Sequence, residues 1–405
     1  TQTGFGRTGT VDWCTTAKTS PFTSVSGNGY FVNTTSGAVT VTLPASPSAG
    51  DIISLKDYAN TWQTNNVTLA NNSSKINGIC GNADLNTEDQ SVTLIYVDST
   101  KGWRVVQDST SSVSGSAYIT ATGGTITTVC TNYKVHTFTS DGTFCVSAGV
   151  GPLAAADYLV IAGGGATGIS NHGGGAGAGG YRESKCATVS GCWTASPLAS
   201  ATSLSISPGP YSVTVGGGAA AGSNGADSVF STITSAGGGK ANSGLNGSAG
   251  GSGGGGYSES PGTTTGGAGN TPPVSPPQGN AGGNGNTSPN KGTGGGGGAG
   301  AVGGNGSGNT GGNGGTGVAS SIDGTPTTRA GGGGGGTELG TNGAGGAGGG
   351  GNAGPGPSSA AGIGSAGTAN TGGGGGGGTR GSGSSGDYVG GAGGSGLVII
   401  RYKFQ

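Results

Sequence analysis

Glycine is so abundant in residues 163–396 that an ordinary side-chain core cannot form there. Of the 103 glycines in the chain, 16 precede Gly163 and none follows Gly396, so the other 87 fall within this stretch. Ordering glycine is costly, because fixing each backbone costs roughly 1–2 kcal/mol and glycine has the most freedom to lose. Such a segment is therefore either disordered or held by an arrangement that satisfies its backbone without side chains.

A bundle of polyproline-II-type helices made of glycine is such an arrangement. These helices have three residues per turn, a rise of about 3.1 Å and no internal hydrogen bonds, so their N–H and C=O groups point sideways. Without Cβ atoms, parallel and antiparallel neighbours approach closely enough to bond to one another. At a net ~0.5–1.5 kcal/mol per hydrogen bond, this lattice only roughly balances its entropy cost. It therefore needs a frame.

Short β-branched and aromatic runs that lie before, inside and after the glycine region predict that frame. They are residues 133–139, 143–147, 157–162, 204–207, 211–215, 228–233 and 397–404. If the last run pairs in one sheet with the first ones, both ends of the glycine region are pinned. We therefore expect a β-sandwich that frames a polyglycine-II helical bundle. Its parts are frame strands in 116–162, the glycine module with interspersed strands in 163–396, and a closing strand in 397–405.

The first part of the chain has the composition of a small β-domain. Val39, Val41 and Leu43 alternate with two threonines, which predicts a strand with one buried and one wet face. Similar runs separated by turn residues continue to about residue 107, and no segment predicts a helix. We expect a small β-sandwich-like domain over 21–115, preceded by a polar lead-in or attachment segment over 1–20. The predicted fold class is all-β.

The charge of the chain excludes several classes of partner. The net charge is −1, and the glycine region holds six basic and six acidic residues. Neither value gives an electrostatic footprint for nucleic acid or an anionic membrane. No apolar stretch approaches the ~20 residues of a membrane span. The chain has no Met and does not begin like a signal peptide, so we expect a removed initiator Met and synthesis in the cytoplasm without export.

Six cysteines leave two interpretations open. Cys186 and Cys192 flank a short loop that a disulfide could close, and Cys130 and Cys145 bracket a predicted hairpin. Buried free cysteine is equally common. There is no Cys-x-x-Cys spacing and there are only two histidines, so we predict no metal site.

Two motifs imitate catalytic signatures. The strand at 157–162 is followed by Gly-Gly-Gly-Ala-Thr-Gly, which satisfies G-x-G-x-x-G, and Glu183 lies about twenty residues on. The motif requires a following helix, which this glycine-rich sequence cannot sustain. Ser252 fits a nucleophile-elbow pattern without its strand-turn-helix context. We therefore predict no enzyme and no cofactor.

Four segments that contain less glycine interrupt the glycine region, at 257–280, 318–329, 354–364 and 386–389. We expect them to form the turns that join adjacent polyglycine helices. Loops on a rigid scaffold often carry recognition, although these turns can also serve only as connectors. The side chains that we expect to contact a receptor are Tyr257, Glu259, Gln278 and Tyr388. An exposed tyrosine suits a sugar ring, because its aromatic face stacks and its hydroxyl bonds.

Several of these sequences resemble those of a known group of proteins. TLPASPSAGD, the run D-x-x-x-T-x-x-x-N-N-V-T and the later Gly-Trp strand resemble the small β-domain of tail-fibre and other structural proteins of tailed bacteriophages, notably marine ones. The later YKVHTFTSDGTFCVS, ADYLVIAGGGA and GGGAGAGGYRES resemble glycine-rich phage fibre and adhesin modules. The resemblance implies ordered polyglycine helices, as in phage adhesin tips and in receptors of the anaplastic-lymphoma-kinase type.

The resemblance also implies a function in the virion. We expect a receptor-binding tail fibre or adhesin, made in the host cytoplasm and displayed on the particle. Its N-terminal segment would bind other virion proteins, and its glycine module would bind a host surface glycan or protein. A homotrimer is expected, without nucleic acid or membrane insertion. The alternative is a head fibre, capsid decoration or other purely structural virion spike.

Overall fold

The computed structural model divides the chain into two compact units, Thr1–Ser114 and Gly115–Gln405. It describes residues 11–109, 118–149, 153–168, 173–186, 191, 193–241, 246–258, 264–286, 291–338, 340–355, 362–379 and 389–405. None of these residues is helical, and the strands form several sheets. The all-β fold class is therefore confirmed.

The first unit consists of two sheets, with the order β1-β3-β5-β8-β9 in one and β2-β4-β6-β7 in the other. Its strands are β1 (Asp12–Lys18), β2 (Phe22–Thr23), β3 (Asn28–Val32), β4 (Val39–Thr42), β5 (Ile52–Asp57), β6 (Val67–Ala70), β7 (Ala83–Leu85), β8 (Ser91–Asp98) and β9 (Gly102–Ser109). The first six strands alternate between the sheets, so β1, β3 and β5 pair in parallel, as do β2, β4 and β6.

The alternating pattern in β4 places its valines in the core as expected. Val39, Val41 and Leu43 are almost completely buried, whereas the threonines between them are half-buried. They pack with Trp62 and Trp103 in one apolar cluster. The lead-in interpretation of residues 1–20 is wrong for its described part, because β1 pairs with β3 and belongs to the sheet. Residues 1–10 lie outside the described residues.

The second unit contains the frame. Its strands are β10 (Thr120–Thr122), β11 (Thr125–Val129), β12 (Tyr133–Phe138), β13 (Gly142–Ala148), β14 (Ala155–Ile161), β15 (Tyr181–Ser184), β16 (Ala199–Ser200), β17 (Leu204–Ser205), β18 (Gly209–Thr214), β19 (Ser228–Phe230), β20 (Ile233–Ser235), β21 (Val318–Ser320), β22 (Thr327–Arg329) and β23 (Leu397–Lys403). One sheet has the order β10-β13-β18-β19-β20, and the other has β11-β12-β23-β14-β15-β16 with β17 beside β14.

The closing strand β23 lies in the middle of the larger sheet. It pairs antiparallel with β12 on one side and with β14 on the other. The expectation that the last run joins the first ones is therefore confirmed. One face of this sheet packs on the smaller sheet through an apolar cluster that includes Phe144, Phe230 and Val398. The other face packs on a second cluster around Leu159, Ile399 and other residues.

Two local predictions are wrong. Residues 228–233 form two strands and not one, because a turn with Ser231 at φ 53° separates β19 from β20. Cys130 and Cys145 do not bracket a hairpin, because β12 and β13 belong to different sheets, and Cys145 is a free, exposed thiol. The prediction that residues 318–329 connect adjacent rods is confirmed, because they form the hairpin of β21 and β22 and the rods on either side of it bond to each other.

Between the strands, the glycine segments form extended rods that bond side to side. The rod 173–180 shows the pattern: backbone groups three residues apart bond to the same neighbouring rod, and groups one residue apart bond to different ones. Its N–H groups donate to three rods. Gly173, Ala176 and Gly179 donate to Gly378, Gly375 and Gly372 of the first rod. Gly175 and Ala178 donate to Gly294 and Gly297 of the second, and Gly177 and Gly180 donate to Gly239 and Ala236 of the third. Its carbonyls accept N–H groups from three other rods, which are those of Gly336 and Gly333, of Gly255 and Ser252, and of Gly165 and Ala162.

This three-residue repeat is the signature of polyglycine-II helices, because each side of a helix with three residues per turn returns every third residue. Hydrogen bonds to six surrounding rods also follow from it. The expected polyglycine bundle is therefore confirmed for the described residues. Parallel and antiparallel neighbours both occur, since rod 173–180 runs parallel to the one at 294–297 and antiparallel to the one at 372–378.

The sequence of a rod reflects its place in the bundle. Rods made of glycine and alanine, such as 173–180 and 372–378, are buried along their whole length. Rods with a larger residue at every third position lie at the surface, and in 311–317 the exposed positions are Asn313 and Thr316. Only one side of a surface rod has room for side chains. At these edges Asn313 Oδ1 accepts the N–H of Ala344 at 2.9 Å and so replaces a missing rod carbonyl.

Glycine is required in the inner rods because a neighbouring carbonyl occupies the place of a side chain. A Cβ on Gly375 would lie 2.0 Å from the carbonyl oxygen of Gly391. Gly217, at the surface, would meet nothing within 4 Å. The two positions have the same kind of backbone and differ in their surroundings.

We predict that Gly375→Ala lowers the free energy of unfolding by about 3 kcal/mol or more, since the new methyl group must push two bonded rods apart. Gly217→Ala is the matched control. It should leave stability unchanged or raise it by ~0.4–1 kcal/mol, because alanine has less freedom to lose. Thermal and denaturant unfolding of both variants measures the difference, and equal stabilities would contradict the lattice.

Candidate functional site

The rods have two distinct ends. At the strand end they continue directly into the frame: β14 leads into the rod at 163–168, and the rod at 173–180 leads into β15. At the opposite end, called the turn end here, the rods reverse. Gly173, Thr293 and Gly336 lie together there, because the N–H of Thr293 donates to Gly336 and that of Gly336 donates to Gly173.

The interruptions that were expected to form binding loops are divided between the strand end and the turn end of the rods. The turn at 270–278 is at the strand end, because the N–H of Tyr181 in β15 donates to Gln278. The hairpin at 318–329 is also there, with Ile322 buried beneath the larger sheet. The described residues Tyr257, Gly354 and Val389, at which these interruptions begin or end, lie at the turn end, because Gly255, Gly354 and Gly391 bond to the rods there.

Two of the four predicted contact residues are buried. Tyr257 is 2% exposed and Gln278 is 1% exposed, so the expectation of an exposed tyrosine is wrong for Tyr257. Gln278 holds its own turn: its Oε1 accepts the N–H of Ala236 at 2.8 Å, and its Nε2 donates to the carbonyl of Pro272 at 2.9 Å. Polar side chains in a glycine lattice find backbone partners, which a sequence pattern does not show.

The remaining predicted residues are outside the described part of the chain. Glu259 and Tyr388 both fall there, and so does Cys192, which leaves the predicted Cys186–Cys192 bridge a prediction. Cys186 itself is half-buried, and its N–H donates to Asp157 Oδ1 at 3.1 Å.

A layer of threonines closes the lattice at the turn end. Thr293 Oγ1 lies 3.0 Å from the carbonyl of Gly173 and 2.9 Å from that of Gly336. Thr167 Oγ1 donates to the carbonyls of Gly174 and Gly375, and Thr379 Oγ1 donates to that of Pro355. All three are buried. The sequence analysis missed this layer, although a signal exists: these threonines stand at the ends of glycine-rich runs.

Beside this layer lies a shallow groove of about 440 Å³ between two surface rods, lined by residues 340–344 and 352–355. Its walls are backbone and short neutral side chains. Asn342 spans it by donating from Nδ2 to the carbonyl of Gly354 at 2.6 Å. Close by, Ile363 is 56% exposed and Val389 is 38% exposed, and the N–H of Gly364 donates to the carbonyl of Val389. The turn end thus combines neutral polar groups with two exposed apolar side chains.

Two buried polar residues of the frame, His136 and Glu183, are engaged in structural hydrogen bonds. His136 Nδ1 donates to the carbonyl of Gly123 at 2.7 Å, and Nε2 accepts the hydroxyl of Tyr402 at 2.9 Å. Burial lowers the pKa of His136 and raises that of Tyr402 to about 12. Glu183 is 2% exposed and accepts from the hydroxyls of Tyr181 and Ser320. Both groups hold strands together.

The comparisons with known proteins bear on the second unit. Residues 138–403 match the family model described as a glycine-rich domain. The match covers more than half of the chain, so the chain belongs to this glycine-rich domain family. A comparison with curated proteins finds no match. The described residues contain no helix of the length and apolar character needed to cross a membrane.

Gln278 provides a test of the strand-end turn. We predict that Gln278→Ala lowers the free energy of unfolding by about 1–3 kcal/mol, because the buried N–H of Ala236 loses its acceptor. Gln278→Glu should be at least as harmful at neutral pH, because it keeps an oxygen for that N–H but buries an unpaired carboxylate that faces the carbonyl of Pro272. Denaturant unfolding measures both, and an unchanged Gln278→Ala variant would contradict this role.

Proposed function

We propose that the protein is a receptor-binding component on the surface of a tailed, marine-type bacteriophage, a tail fibre or adhesin that attaches to the host cell. The observation that carries the proposal is the turn end. A lattice of lateral hydrogen bonds holds the described ends of many rods at one face, with the frame at the other. Turns on a rigid scaffold make a preorganised binding surface, which costs little entropy when a ligand binds.

The chemistry of the turn end suits a neutral ligand. The groove offers carbonyls, amides and hydroxyls, and Ile363 and Val389 add apolar contact beside it. The described ion pair of Lys291 and Glu338, 3.4 Å apart, is self-neutralising. A net charge of −1 gives no steering towards an ionic target. A surface glycan is therefore the favoured ligand class, and a neutral patch of a host surface protein is the second.

A purely structural virion spike is the alternative function. The burial of Tyr257 and Gln278 favours it, because it removes two side chains that would have contacted a receptor. The number of copies on a particle distinguishes the two functions. A few copies per tail support attachment, and a hundred or more support a decoration or spike.

Attachment can be tested at the turn end with exposed side chains only. We predict that Ile363→Ser combined with Val389→Ser reduces binding of the purified protein to host cells about tenfold and reduces its protection of those cells from infection. The melting temperature should be unchanged, because both side chains are exposed. Val302→Ser is the control: Val302 is 63% exposed on a surface rod and lies near the strand end. Equal binding by the double variant and the control, or no binding by the wild type, would favour the structural spike.

A further inference from the structure

The first unit carries a row of three aromatic rings, of which two are exposed and one is half-buried. Trp13 in β1, Phe31 in β3 and Tyr58 just after β5 lie on the outer face of one sheet. The ring centroids of Trp13 and Phe31 are 5.0 Å apart, and those of Phe31 and Tyr58 are 6.5 Å apart. Trp13 is 40% exposed and Tyr58 is 57% exposed. Exposed apolar groups that form a continuous patch indicate a binding surface.

The three rings form a shaped site. Trp13 and Phe31 are tilted by 37° and make a shallow floor, whereas Tyr58 stands at 75° to Phe31 and makes a wall. Gly29 is the Cα partner of Trp13 in the neighbouring strand. A Cβ on Gly29 would lie 2.7 Å from the indole. The glycine therefore allows the indole to lie flat across the strand.

The loop that carries Tyr58 is held by a buried carboxylate. Asp57 is 2% exposed, and its oxygens accept the N–H groups of Ala59, Thr61, Trp62 and Asp89 at 3.1–3.3 Å. The N–H of Tyr58 also donates to the carbonyl of Val32 at 3.1 Å. The wall is thus fixed before any ligand binds, which lowers the entropy cost of binding.

Charge and size restrict what the row can bind. The unit 1–114 has six basic and eight acidic residues, a balance unsuited to a phosphate backbone, although bases also stack on aromatic rings. Lys56, the strand partner of Phe31, is neutralised by Asp89. A stable protein interface buries about 800 Å² per partner. Three partly exposed rings, each with at most about 150–250 Å², offer much less than that.

We infer that this aromatic row is a carbohydrate-binding site for one or two rings of a neutral saccharide. The face of an aromatic ring is electron-rich, and the C–H bonds on one face of a pyranose carry a partial positive charge, so the two faces attract each other. The floor would stack on the sugar, and the upright Tyr58 would contact its edge and offer a hydroxyl. This site lies in the first unit and is separate from the turn end in the second unit.

Affinity electrophoresis of the full-length protein tests this inference. The gels contain hydroxyethylcellulose, dextran or galactomannan, and a parallel mobility assay uses single-stranded oligo-dT. We expect at least one neutral polysaccharide to retard the wild type, and Trp13→Ala and Tyr58→Ala to weaken that retardation about tenfold or more. Ile79→Ala is the matched control, because Ile79 is an apolar residue of the same unit that is 70% exposed. It should behave like the wild type.

Every other outcome overturns the inference. No retardation of the wild type in any neutral gel excludes the saccharide, and retardation that persists in Tyr58→Ala excludes the aromatic row. Binding of oligo-dT alone would assign the row to nucleic acid. Self-association that Tyr58→Ala removes, without polysaccharide binding, would assign it to a second copy of the chain. Tyr58 is exposed, so its variant tests the site even if Trp13→Ala fails to fold. The turn-end variants should retain polysaccharide retardation, which separates this test from that of the proposed function.

Discussion

The close approach of a carbonyl oxygen from a neighbouring rod determines how most of the glycine rods of the second unit pack. At inner glycines such as Gly375, the carbonyl oxygen of a neighbouring rod lies about 2 Å from the position that a Cβ would occupy. The short distance between rods allows an inner rod such as 173–180 to bond laterally in three directions through its N–H groups and in three more through its carbonyls. Glycine thus makes the fold costly in conformational entropy and is also the residue that the fold requires. Its freedom must be lost, and only its lack of a side chain permits the bonds that offset that loss.

Such a balance leaves little net stability, so the frame is essential. The glycine module begins where β14 ends and finishes where β23 begins, and these two strands pair over six residues in the centre of one sheet. Apolar clusters on both faces of that sheet supply the hydrophobic stabilisation that the rods lack. The frame therefore also fixes where the rods start. The turn end, which we propose for attachment, is accordingly positioned by strands at the opposite end of the bundle.

Much of this architecture could be predicted from the sequence, because its signals are local. Alternating residues such as Val39 and Val41 identify strands, and the apolar runs on either side of the glycine region identify the frame. The end of the bundle at which each turn lies could not be predicted, because the direction in which each rod runs depends on which neighbours it bonds to. For the same reason, Tyr257 and Gln278 could not be recognised as buried. Two overlooked patterns do carry information: pure glycine runs mark inner rods, and threonines at the ends of such runs mark the turn end.

The central claim is that the rods are bonded laterally, and amide hydrogen exchange resolved to individual residues tests it most directly. Inner and surface rods should differ although their compositions are similar. The account predicts slow exchange throughout 294–298, where each N–H donates to another rod or turn, and rapid exchange at Gly217, for which no such bond is found and which is exposed. Rapid exchange along the whole of 294–298, at a rate like that of an unstructured glycine peptide, would contradict the lattice.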